Sequence, residues 1–241
     1  MSKSVPIVLC ADDFGISPGV NDGILDLVER RRLSAVGCMT ALPAFAAGSS
    51  ALKAMSEHVD IGLHLTLSDQ EPIGAMPNLA PHGRLPSFPR LLRAAIFGQL
   101  PADEIAAEFE RQIAAFSDAF GESPDFLDGH HHVHQLPGIR PIVLAAAAKY
   151  GAKKKIYVRA CNDSFRAISE RGIAMGASMF IGAFGRSLRR DAWRLGISTN
   201  TGFAGAYDYK STTPYGEVFP HMIRALAPGS IVFCHPGIPD P

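Results

Sequence analysis

Nothing in the sequence offers a membrane anchor, a disulfide framework or a charged face for a polyanion. No apolar run approaches the roughly 18 residues that a spanning helix needs. The start, MSKSVPIVLCADDFG, passes from a few polar residues into a short apolar stretch with acids directly behind it. A secretory leader requires a longer apolar core and a small-residue cleavage site, so a cytoplasmic protein is expected. Cysteine is sparse: Cys10, Cys38, Cys161 and Cys234 are widely spaced and form no CxxC pair. They read as free core thiols in a reducing compartment, not as a disulfide or thiolate metal framework. Charge is balanced, 23 Lys and Arg against 23 Asp and Glu, which leaves no net field to gather nucleic acid or an anionic membrane. The basic runs ERRRL and AKKK are local and read as solvated helix ends. No glycine-rich phosphate loop, internal repeat or low-complexity linker is present.

What is present is an alternation of short apolar runs and amphipathic segments. Strands are expected at 5–11, 34–42, 59–67, in PDFLDGH, in KKIYVRAC, within GISTNTGFAG and at 229–235. Ser17 followed by Pro18 reads as a helix start, with Val20, Ile24, Leu27 and Val28 on one face. PADEIAAEFERQIAAFSDAFG reads as a helix with Ile105, Phe109, Ile113 and Phe116 on one face and Gly121 at its end. Residues 44–55, 139–151, 162–195 and 215–226 are expected to be helical, and the Pro/Gly-rich stretch from 68 to about 86 a loop. About six or seven strands alternating with helices give a parallel α/β architecture in a single domain over 1–241. A (β/α) barrel is the first choice and an open doubly wound sheet the second.

The polar residues converge. In both architectures active sites lie at the carboxyl ends of the strands. Asp12 and Asp13 end the first strand, His64 the third, Asp128 and a run of histidines the fourth, Arg159 the fifth and His235 the last. Five strands thus deliver ionisable groups to one rim. Successive side chains of a strand point to opposite faces, so a turn must bring Asp12 and Asp13 to one cleft. Two close carboxylates repel unless a cation lies beside them, and carboxylate with imidazole suits a divalent transition metal. One Asp and two His leave coordination positions open for water and substrate. His130 and His134 have HxxxH spacing, but Pro137 and Gly138 follow, so no helix is expected there.

The segments ADDFGISPGVNDGI, IGLHLTL, DGHHHVHQLPGI and VFCHPG resemble the YdjC-like family of carbohydrate deacetylases, in the family's order and over nearly the whole chain. The resemblance implies a NodB-like distorted (β/α) barrel and metal-dependent hydrolysis of N-acetyl groups from sugars of the N-acetylglucosamine, chitooligosaccharide or glycolipid type. It implies metal ligands at Asp13, His64 and His130, a general base at Asp12 and a general acid at His235. The cofactor would be one divalent ion. The imidazole-rich donor set favours zinc over magnesium, which prefers oxygen. Members of the family usually continue past the His-Pro-Gly segment, so either a chain truncated at its C-terminus or a short relative is expected, and a homodimer is compatible with the reading. Arg159, His132 and Phe14 are candidate substrate contacts, Arg159 equally a partner that keeps Asp12 charged. Trp193, Phe203 and Tyr207 are further aromatic candidates for stacking on a sugar ring. Specificity is expected in the 68–88 loop and in residues 160–200. The rival readings are another metal hydrolase such as a phosphoesterase, and a non-catalytic sugar- or metal-binding protein.

Overall fold

The computed structural model describes residues 4–152, 154–208 and 213–240. Seven strands, β1 (Ile7–Phe14), β2 (Ala35–Cys38), β3 (Asp60–Leu65), β4 (Phe126–Gly129), β5 (Tyr157–Val158), β6 (Phe203–Ala204) and β7 (Ser230–Cys234), form one all-parallel sheet in the order β5-β4-β3-β2-β1-β7-β6. That order is a sequential ring opened between β5 and β6. A doubly wound sheet would instead reverse direction from a central strand. The break is narrow: Val158 of β5 forms a single parallel bridge with Thr199, on the lead-in to β6. The sheet is therefore a curled, incompletely closed barrel, and the doubly wound alternative does not hold.

Around it run α1 (Pro18–Glu29), α2 (Pro43–Lys53), α3 (Phe88–Ile96), α4 (Ala102–Phe120), α5 (Arg140–Tyr150), α6 (Phe165–Arg171), α7 (Met175–Arg194) and α8 (Tyr215–Met222). The punctuation of the sequence is used as expected at several ends. Ser17 caps α1, its side chain accepting from Val20 N–H at 3.3 Å. Gly121 ends α4 in the left-handed region, φ 80°, where a residue without Cβ is unstrained. Ile105, Phe109, Ile113 and Phe116 of α4 are all buried against the sheet. Burying each such side chain contributes about 1.5–3 kcal/mol.

Two local features differ from expectation, and a third agrees with it. The stretch 162–195 is two helices, interrupted where Gly172 (φ 68°) and Ala174 (φ 42°) turn left-handed. α3 forms immediately after the 68–86 loop, with Leu91 and Ala95 buried beneath it. Residues His130–Gln135 make a 3₁₀ turn that is no regular helix, because His131 and His132 have φ of 52° and 57°. All four cysteines are free and buried. Among the described residues no helix is long and apolar enough to cross a membrane.

Candidate active site

A bulge in β1 resolves the paired-aspartate problem. Between Ala11, opposite Val36, and Phe14, opposite Cys38, β1 carries one residue more than β2. Asp13 takes up the extra length in the left-handed region, φ 70°. The bulge breaks strict alternation, so Asp12 and Asp13 both line one cleft. Phe14 is the next residue to turn inward and is fully buried in the core. It offers no ring face to a substrate, which corrects its candidacy as a sugar contact.

Three strand ends bring the ligand candidates together. Asp13 Oδ1 lies 2.8 Å from His130 Nδ1 and 3.3 Å from His64 Nε2. All three donor atoms fall within 4.8 Å of one another. That is the scale set by bonds of about 2.0–2.2 Å from N and O ligands to a common cation. His64 stands in β3 at the register position opposite Asp128 of β4. Its Nδ1–H donates to Asp128 Oδ1 at 2.6 Å, and Nε2, 3.3 Å from Asp13 Oδ1, is the nitrogen that would take a cation in place of its proton. A carboxylate behind the ring is the usual way a ligating histidine is oriented and made more basic. Gly37 of β2 makes room for that ring, since a Cβ there would stand 3.1 Å from His64 Nδ1.

The electrostatics fit a bound cation. Burial would lower the His64 pKa, but Asp128 and Asp12 outweigh it and push it up to about 10. Burial would raise the Asp13 pKa, yet its hydrogen bonds to His130 and His64 hold it far below the usual carboxylate range. A field that retains a proton on imidazole this strongly is one into which a divalent cation fits as the compensating charge. The donor set, one carboxylate and two imidazoles, could hold a divalent metal ion.

Asp12 and Arg159 form the second half of the site. Arg159 lies wholly below the surface, its Nη1 and Nη2 donating to the two Asp12 oxygens, with Nη2 also 2.5 Å from Asp128 Oδ2 and 2.9 Å from Cys10 Sγ. Burial alone would raise the Asp12 pKa, but Arg159, with help from His64, keeps it well below the ordinary range. The guanidinium thus occupies the space between Cys10, Asp12 and Asp128, a second set of donors close enough to share an ion. This placement corrects the reading of Arg159 as a substrate contact: no part of it reaches the cleft, and it holds Asp12 instead.

The remaining predicted residues take varied positions. His235 follows β7, partly exposed, with Nε2 3.8 Å from Asp13 Oδ2, on the carboxylate oxygen not shared by His64 and His130. His132 lines the cleft and stands edge-on to Phe203 and Phe233, which stack 5.1 Å apart. Burial and Arg159 keep its pKa well below 6.5. His131 lies against Phe88, and its Nδ1 is 2.9 Å from Ser68 Oγ. His134 points away into the interior, where Nε2–H donates to the Arg159 carbonyl at 2.8 Å. Tyr207 lines the cleft, whereas Phe203 is buried behind His132 and the exposed Trp193 lies outside the cleft lining.

The cleft encloses about 520 Å³. Phe88 at the start of α3 and Phe180 and Ile181 on α7 supply apolar walls, which local patterning does not single out. Asp128 was visible at the rim but without a role; its pairing with His64 follows only from the parallel register. The 66–74 segment is anchored from outside the cleft. Gln112 of α4 bonds both the N–H and the carbonyl of Thr66, and Glu108 accepts from Ile73 and Gly74 N–H.

The chain resembles known proteins in sequence and in fold. A chitooligosaccharide deacetylase of Serratia marcescens is 39% identical over 146 residues, 60% of this chain and 56% of that protein. One of Klebsiella pneumoniae (strain 342) is 40% identical over 152 residues, 62% of this chain and 58% of that protein. The matched region thus spans somewhat over half the length of these curated relatives. The crystal structure of a "putative cellobiose-phosphate cleavage protein" from Enterococcus faecalis V583 superposes over 99% of this chain and 83% of that one, with a TM-score of 0.69 at 19% identity, which shows a shared fold. The sequence profile described as YdjC-like protein matches residues 6–241, nearly the full length, and the chain belongs to that family.

Proposed function

We propose that the protein is a metal-dependent carbohydrate deacetylase that hydrolyses the N-acetyl group of an amino sugar. The observation that carries the reading is the juxtaposition of Asp13, His64 and His130 with the ionised, Arg159-held carboxylate of Asp12 at the floor of one cleft. The relatives named chitooligosaccharide deacetylase support the same substrate class.

Asp13, His64 and His130 would hold a divalent cation, zinc or another transition metal in preference to magnesium, which would supply polarisation of the acetamide carbonyl and a lowered water pKa. Asp12 accepts the proton of the attacking water. Arg159 fixes the plane of that carboxylate and keeps it unprotonated, so it is always in the accepting form at neutral pH. His235, on the far side of Asp13, delivers a proton to the departing amine nitrogen as the C–N bond breaks. The products are acetate and the free amino sugar. Phe88 and Phe180 give sugar rings apolar faces to lie against, and the neutral His132 and His131 offer hydrogen bonds without charge. A phosphoesterase with two bridged metals fits less well, because the second donor set is already filled by the Arg159 guanidinium.

The test is acetate release from a panel of N-acetylated sugars and chitooligosaccharides after chelation, then with zinc, cobalt or magnesium restored. Release that is abolished by chelator and restored by metal is the expected result. A metal-loaded protein that releases no acetate from any of them would overturn the reading.

A further inference from the structure

Beyond His235 the chain leaves the sheet and lies on α1. Ile238 N–H donates to the Gly19 carbonyl at 3.0 Å, and Asp240 Oδ1 accepts from Gly19 N–H at 2.5 Å. The Gly19 amide is the one first-turn donor that α1 leaves over. Pro18 has no N–H, Val20 N–H goes to Ser17 Oγ, and Asn21 N–H goes to the Ser17 carbonyl at 3.1 Å. Asp240 therefore completes the cap, with its charge at the positive end of the helix.

The fit is close enough to require glycine. A Cβ on Gly19 would collide with the Ile238 carbonyl oxygen and stand 2.8 Å from Asp240 Oδ1; one on Gly23 would stand 2.7 Å from Gly237 Cα. Residues four apart share a helix face, so Gly19 and Gly23 make a flat seat for residues 237–240. This accounts for the two glycines of SPGVNDG, which the metal and acid–base roles leave unexplained.

The seat is next to the chemistry at both ends. α1 begins five residues after Asp13, and the turn between is tied to the helix by Gly15 N–H donating to Asn21 Oδ1 at 2.7 Å. β7 ends at Cys234, so His235 is the first residue past the sheet, and residues 236–240 belong to no strand among the described residues. We propose that residues 236–240 form a strap whose docking on the Gly19 and Gly23 face of α1 holds His235 over Asp13. Gly19, Gly23 and Asp240 are then positioning residues for proton delivery. The inference rests on the deacetylase reading for its kinetic part and on geometry alone for the strap itself.

The experiment uses the full chain, metal-loaded, as wild type, Gly23→Ala and Asp240→Asn, the second variant adding no atoms to α1. Amide exchange by NMR is expected to find the Gly19 and Ile238 N–H protected in wild type and at least tenfold less so in both variants, with the His235 ring resonances moved. Turnover of a chitooligosaccharide is expected to fall on the order of 10²-fold, the scale of a displaced catalytic group, with KM within about twofold. Hydrolysis of 4-nitrophenyl acetate, whose phenolate leaves without a proton, should stay within about twofold of wild type. Variants that keep full amide turnover, or that lose amide and ester hydrolysis alike, overturn the positioning role. Unprotected Gly19 and Ile238 amides in the wild type overturn the strap. Should the wild type release no acetate from any N-acetyl sugar, the deacetylase reading falls, and exchange rates and His235 resonances decide the strap without it.

Discussion

Arg159 grips Asp12 at both carboxylate oxygens, Nη1 to Oδ2 at 2.7 Å and Nη2 to Oδ1 at 2.6 Å, in a place that solvent does not reach. The same guanidinium neutralises Asp128, and Asp128 orients His64. One buried cation thus supports both halves of the site. Removing it leaves two desolvated carboxylates facing each other without compensation. Arg159→Met is expected to cost about 3–5 kcal/mol, the usual penalty for orphaning a buried charge. Arg159→Lys should fall between, because an ammonium cannot present a planar fork to two carboxylates. Urea unfolding at neutral pH measures both, and an Arg159→Met protein within 1 kcal/mol of wild type would contradict this account.

Asp12 and His64 separate turnover from metal binding. Asp12→Asn leaves the three ligand atoms in place and keeps a hydrogen-bonding partner for Arg159. It is expected to retain metal while turnover drops roughly 10²–10⁴-fold, the ordinary contribution of a general base. His64→Ala removes a ligand and should lose metal and turnover together. Titration calorimetry with zinc beside an acetate-release assay distinguishes the two, and near-wild-type acetate release by Asp12→Asn would remove Asp12 from the mechanism.

Asp128 acts one step behind the ligands. Asp128→Asn keeps shape but replaces the acceptor of the His64 Nδ1–H by a neutral amide, so metal affinity should weaken about 10–100-fold, as for other outer-shell partners. Because a cation that binds only the folded form stabilises it by mass action, the gain in thermal midpoint on adding zinc should shrink in parallel. An unchanged zinc affinity would mean that His64 needs no carboxylate behind it.

How much of this was legible in the sequence depends on whether a feature is local or arises from register and curvature. Ser17, Pro18 and Gly121 are local devices and act where the sequence places them. The convergence of Asp12, Asp13, His64, His130 and His235 followed from counting strand ends, because parallel strands present one kind of end to one rim. The bulge at Asp13 was not legible, since an extra residue shows only against the register of β2. Nor was the burial of Phe14, which that bulge turns inward, or the depth of Arg159. Barrel closure also escapes local patterning. β5 and β6 are two residues each, and it takes the strand order together with the Val158–Thr199 bridge to tell a curled ring from an open sheet. α3 and α7 supply cleft walls through long-range packing, for which periodicity gives no placement.

His134 supplies a pH test away from the ligand set. It is fully buried, Nε2 satisfied by the Arg159 carbonyl, while Nδ1 has no hydrogen-bond partner among the described residues. Burial is the main cause that lowers its pKa to about 4, with the Arg159 charge acting in the same direction. The ordinary imidazole value is about 6.5. Between those values the unfolded chain binds the proton and the folded one does not, so folding stability falls as the pH drops. The contribution is complete above about pH 6.5, is lost progressively as the pH falls to about 4, and amounts to about 3 kcal/mol at one pKa unit per 1.36 kcal/mol. His134→Gln keeps a donor for the Arg159 carbonyl but cannot titrate. Its stability between pH 4 and pH 6.5 should therefore vary by about 3 kcal/mol less than that of the wild type. Denaturant unfolding at half-unit intervals across that window measures the difference, and parallel curves for the two proteins would show that His134 is not held neutral in the fold.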